Sequence, residues 1–222
     1  TRGIVVLGLD APEADLADSF AVAASFPLVK GFAVGRTIFG AVARAWLDGD
    51  FHRTPELYGR VLEDHPGDLA ALQFAHQCDF FVGDAAALRD RPAGVLARSD
   101  PGLPGHGFVL GMHAFGLEEN NLFRRAEEAG RHAVELTPRD PWAIHAVAHV
   151  MEMQGRSGEG IAWMRDREAD WAPDNLLAVH NWWHLALHHL DRCETGAVLA
   201  ATATSRAASP GSSSSTPTSS RA

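Results

Sequence analysis

Six residues spaced for helix faces carry most of the side-chain chemistry this sequence offers. His145, His149 and Glu152 fall at i, i+4 and i+7, and His180, His184 and His188 at i, i+4 and i+8. Each triplet shares one face if the backbone is helical. Imidazoles placed this way can donate or accept hydrogen bonds to a ligand near neutral pH. Two i, i+4 pairs can also complete four nitrogen ligands around a transition metal. A third use is structural, since a buried ring satisfied across a helix pair contributes roughly 1 kcal/mol.

The sequence favours the first use without closing off the others. There is no HExxH signature, because Glu152 follows His149 rather than lying between two histidines, and spacing alone is weak evidence for a metal. No Ser/His/Asp or Cys/His nucleophile arrangement stands out. The GLEEN run at residues 116–120 reads as a helix end and turn rather than as a carboxylate pair for acid–base work. Cys78 reads as a small buried hydrophobe. No catalytic residue, metal ligand or cofactor is assigned.

The elements that must position these histidines are helices. Between residues 50 and 192, Pro and Gly punctuate helical patterns over residues 55–64, 68–82, 84–98, 107–119, 122–136, 141–154, 158–170 and 174–190. Thr54, Asp140 and Ser157 are expected N-caps and Gly83 and Gly155 expected C-caps. A shift of 35 residues lays "PRDPWAIHAVAHV" over "PDNLLAVHNWWHL", placing His145 on His180 and His149 on His184. His113 lies 36 residues before His149, and His76 lies 37 before His113. Such a period, with two helices per unit, predicts a tetratricopeptide-type stack whose neighbours share one core. Phe74, Leu110, Phe115, Trp142, Val147, Trp163, Trp182 and Leu185 are its expected core.

The stretches "GFVLGMHAFGLEENNLFRRAEEAGRHAVELTPRDPWAIHAVAHVMEMQGRSGEGIAWM", "DNLLAVHNWWHLALHHLDR" and "DFHRTPELYGRVLEDHPGDLAALQFAHQCDFFVGD" resemble the tetratricopeptide repeat protein 38 family. The resemblance implies a binding scaffold without catalytic activity, with the first helix of each pair lining a concave groove. His113, His145, His149, Glu152, His180, Trp183, His184 and His188 are the groove residues so implied. The occupant would be a peptide or protein partner or a small acidic ligand. The alternative is an enzyme that uses the histidine columns with a metal.

Residues 1–49 have a different character. The patterns predict a strand over 4–9, a helix over 11–25, a strand over 29–34 and a helix over 37–47, a βαβα unit. "GIVVLGLDAP" and "VKGFAVGRTIFGAVARAWLDG" resemble the closing part of the aldolase-like barrel domain of bacterial 5-dehydro-2-deoxygluconokinases. In such barrels the last loops hold a phosphate, a role that would fall here on Gly35, Arg36 and Thr37. The favoured expectation is a remnant without a site. From residue 200 to residue 222 the chain is rich in Ser, Thr and Ala, and disorder is expected.

The expected fold is therefore mainly α: a helical-repeat α-solenoid over 50–199, preceded by the βαβα fragment over 1–49 and followed by the tail over 200–222. Composition excludes several functions. With 19 Lys+Arg against 28 Asp+Glu and a net charge of −9, no basic cluster is available to neutralise nucleic-acid phosphates. The longest apolar runs are too short to span a bilayer, and no basic-then-apolar leader opens the chain, so a cytoplasmic location is expected. An uncapped end of the repeat array would favour self-association.

Overall fold

A computed structural model describes residues 4–7, 13–33, 44–45, 48–50, 53–102 and 104–208. The protein is mainly helical. It divides into two compact units, Thr1–Asp84 and Ala85–Ala222, rather than at the 49/50 junction expected from composition.

In the first unit, strands β1 (Ile4–Leu7) and β2 (Val29–Ala33) pair in parallel, with helix α1 (Glu13–Ala24) between them in sequence. Most of the second helix expected there, over residues 37–47, lies outside the described residues, as do Gly35, Arg36 and Thr37. Helices α2 (Arg53–Asp64) and α3 (Leu69–Val82) pack together in the same unit. The start of α2 is capped by Asp50, whose carboxylate accepts the Arg53 amide at 3.1 Å, so the expected cap at Thr54 is displaced by four residues. Thr54 instead donates its hydroxyl to the Asp50 carbonyl at 2.9 Å. Asp68 caps α3 and Gly83 ends it at φ 76, a left-handed turn that glycine adopts without steric cost.

The second unit contains α4 (Ala85–Leu96), α5 (His106–Glu119), α6 (Phe123–Leu136), α7 (Pro141–Met153), α8 (Ser157–Asp166), the single turn α9 (Glu168–Trp171), α10 (Ala178–Asp191) and α11 (Thr195–Ala208). Neighbours in sequence pack on one another, and α5 also packs on α7, and α7 on α10. Helices α5, α7 and α10 are thereby brought side by side in that order. Ile144, Val147, Met151, Met164, Trp171 and Leu185 form the largest apolar cluster. The indole N–H groups of Trp163 and Trp171 donate to the carbonyls of Ile144 and Met164 at 3.0 and 2.8 Å, so both tryptophans are buried without stranding a donor.

Close helix approach depends on glycines, Gly116 and Gly160 among them. A Cβ at Gly116 would overlap the Leu88 backbone where α4 crosses α5, and one at Gly160 would overlap the His188 ring where α8 crosses α10.

Several expectations are corrected here. Phe74 is 56% exposed, although it stacks on Tyr58, and Trp142 and Leu110 are only partly buried. Ser157 begins α8 rather than capping it, and donates to the Asp191 carboxylate at 3.0 Å. The disorder expected from residue 200 is replaced by helix up to Ala208, because TGAVLAATATSRAA is rich in the best helix former and buries Ala201 in the main cluster. Residues 209–222 lie outside the described residues.

Candidate functional site

Helix α7 starts on a well-defined cap. Asp140 accepts the Trp142 amide at 3.0 Å, and Pro141 occupies the first turn, where no amide hydrogen is needed. The cap sets where the helix begins, and the four-residue spacing puts His145 and His149 on one face. Helix α10 does the same for His180 and His184. Since α7 and α10 are neighbours, the four rings meet.

Their meeting is unusually close. The Nε2 of His184 lies 3.1 Å from that of His145, 3.1 Å from that of His149 and 3.0 Å from that of His180. The Nε2 atoms of His180 and His145 are 2.9 Å apart. One ligand atom from each ring falls within 4.8 Å of all the others. His145 and His184 are buried, His149 is intermediate and His180 is exposed, so the group is rooted in the core and opens at the surface.

Carboxylates stand behind two of the rings. The Nδ1–H of His184 donates to Glu152 Oε2 at 2.9 Å, and His149 Nδ1 lies 3.2 Å from Glu118 Oε2. His184 uses its single neutral-form N–H on the Glu152 carboxylate, so its Nε2 bears a lone pair. That lone pair lies 3.1 Å from the His149 Nε2. Hydrogen bonding alone cannot satisfy His184 Nε2, which has three nitrogen neighbours and room to accept from about one N–H. A cation among the four nitrogens resolves the conflict.

Burial holds three of the rings neutral. It lowers His145 well below the ordinary imidazole range, aided by the neighbouring histidines, and lowers His184 to about 4 against the opposing pull of Glu152. His180 is lowered by partial burial and by the nearby charge of His149. Burial also works against a charge on His149, but the Glu118 carboxylate, helped by Glu152 and Glu119, outweighs it and raises the pKa. Glu119 is raised by burial and by the charge of Glu118. Burial would raise Glu152 too, but its bond to His184 and the charges of the histidines hold it below the usual carboxylate value.

The structure brings His145, His149, Glu152, His180 and His184 together and adds Trp183, which stacks on His180 with ring centroids 5.6 Å apart. Trp182 turns into the core and Trp183 stays half exposed. It does not bring in His113, whose Nδ1 lies 3.0 Å from the Arg89 carbonyl on α4. Nor does His188 join, one turn beyond His184; it is fully buried against Gly160. His113, although it lies at the 36-residue spacing from His149, therefore stays outside the cluster formed between α7 and α10, because α5 turns its histidine toward α4.

Sequence reasoning passed over Glu118, taken as part of a turn. It is 5% exposed and lies in the last turn of α5. An acid is electrostatically misplaced at a helix C-terminus, and that misplacement was the available signal.

Residues 1–63 match a family described as an uncharacterized protein conserved in bacteria (DUF2090). That stretch lies wholly outside the histidine cluster. Among the described residues no helix is long and apolar enough to cross a membrane.

Proposed function

We propose that the helical unit is a tetratricopeptide-type repeat domain that carries a divalent transition metal on His145, His149, His180 and His184. One observation supports this above all others: His184 Nε2 has three other Nε2 atoms within 3.1 Å. Four nitrogens bound tetrahedrally at about 2.0–2.1 Å stand roughly 3.3 Å from one another, close to the observed spacing. Charge fits as well. Four neutral imidazoles leave the ion's two positive charges uncompensated, and Glu118 and Glu152 supply two negative charges from behind the rings. Carboxylates so placed fix the tautomer and make the ligand more basic.

An all-imidazole set suits zinc, copper, cobalt or nickel and disfavours magnesium and calcium, which take oxygen ligands. Zinc is the assignment for the resting protein. The ion joins two helices that lie one repeat apart, and the scaffold role implied by the resemblance to the tetratricopeptide repeat protein 38 family rests on the groove beside it. The partner is a peptide or protein, and the location cytoplasmic.

Elemental analysis of the purified full chain tests this reading. The expected result is about one equivalent of zinc, lost in His184→Ala and in His145→Ala. A second cation also answers the lone-pair conflict, namely a proton on His149. A metal-free protein whose melting is indifferent to added zinc and to chelator would establish the proton and remove the metal.

A further inference from the structure

The four arms of the cluster are not equivalent. Glu152 braces His184, Glu118 stands behind His149, and complete burial immobilises His145. His180 has none of these supports. It is the exposed member of the four, and among the described residues no group accepts from its Nδ1. Both hydrogen-bond-range contacts of its ring run from Nε2 into the cluster.

Its backbone also lies nearest a helix end. His180 is the third residue of α10, whose start is held by Asn175 Oδ1 accepting the Leu177 amide at 2.8 Å. The preceding turn passes through Asp174 at φ 50 and exposes 96% of Leu176. Its counterpart His145 sits behind the Asp140 cap and Pro141. The terminal turn of a helix opens more readily than the turns that follow it, and His180 lies in that turn while His145 is the fifth residue of its helix, so His180 is the arm that can leave.

We infer that His180 is an exchangeable ligand, and that a small heteroaromatic nitrogen base, of the imidazole class, can take its coordination position with its ring against the exposed face of Trp183. This rests on the metal reading. Three fixed nitrogens with a fourth position open to an outside donor is the arrangement of metal sites that act on ligands, whereas purely structural sites are closed. Trp183 supplies the flat apolar surface: it stacks on His180 at an interplanar angle of 29° and also lies against His184, with ring centroids 4.9 Å apart. An incoming ring that displaces His180 inherits that surface. The site thus selects flat nitrogen donors over small hydrated anions, which gain nothing from the indole.

The probe is imidazole itself, titrated into the cobalt-loaded full chain and followed by the visible absorption of the ion. In the wild type the outside base must first displace His180, which weakens its apparent affinity by the fraction of time the arm is bound. His180→Ala is expected to keep about one equivalent of cobalt and to bind imidazole about tenfold more tightly than the wild type, regaining the four-nitrogen spectrum. Trp183→Ala is expected to weaken imidazole binding while leaving cobalt content unchanged. The inference is overturned if cobalt is held but its spectrum ignores imidazole in both wild type and His180→Ala. It is overturned equally if His180→Ala loses cobalt as completely as His184→Ala. A wild type that takes up no cobalt removes the metal centre itself, and with it this role for His180.

Discussion

His184 Nδ1 and Glu152 Oε2 stand 2.9 Å apart, and that single bond decides which nitrogen of the ring faces the cluster with a free lone pair. The imidazole can be turned by either nitrogen, and a carboxylate behind it selects one tautomer at the cost of the other. Glu152→Gln preserves size and removes the charge. It is expected to weaken zinc binding by about 10–100-fold, measured by competition against a chromophoric chelator, with helical content unchanged. Wild-type affinity in this variant would show that the carboxylate is a bystander.

Metal binding should be visible as stability. The four ligands converge only when α7 and α10 are docked, so the ion binds the folded state and not the open chain. At free zinc 100 times the dissociation constant the linkage amounts to about 2.7 kcal/mol, or a rise of about 5–10 °C in Tm for a chain of this size. Chelator should reverse the rise in the wild type and do nothing in His184→Ala.

Gly160→Ala tests the crossing of α8 and α10. The added methyl has no room beside His188, a fully buried ring that cannot swing aside cheaply. The variant should lose about 1–3 kcal/mol by denaturant titration. Pairing it with His188→Ala, which clears the space, should recover part of the loss.

Asp140 gives the protein a pH signature independent of the histidines. Burial raises its pKa from 3.8 to about 6, although the amides of Ala143 and Trp142 pull the other way. Between those values the folded protein binds more protons than the unfolded chain, so the contribution of this group falls as pH rises through the window. The full penalty, about 3 kcal/mol, applies above pH 6. Asp140→Asn keeps the cap and removes the titration. Its stability relative to wild type should climb from about pH 4 to pH 6 and level off beyond; a flat difference would refute the assignment.

The pairing of His145 with His180 and of His149 with His184 was legible as a 35-residue shift, because helices one repeat apart become neighbours and equivalent positions face each other. What the repeat leaves open is rotation. His113 obeys the spacing, yet its ring meets the Arg89 carbonyl, since the environment that turns a helix comes from packing and not from period. Glu118 follows no repeat position and enters only through the spatial neighbourhood of His149. Helix α11 was concealed by composition: Ser, Thr and Ala suggest a tail, but alanine also forms helix readily, and Ala201 with the partly buried Val198 seats one face on the core. The convergence of the Nε2 atoms depends on χ angles, to which no spacing rule speaks.

Two arms of the cluster belong to one rod and two to the next. An ion held across that seam tolerates little sliding: a displacement of even half an ångström between the rods would stretch two bonds while slackening two others. If the proposed scaffold bends as it grips a partner, that motion would strain the proposed ion or expel it, and metal loss would then gauge how far the helices have flexed.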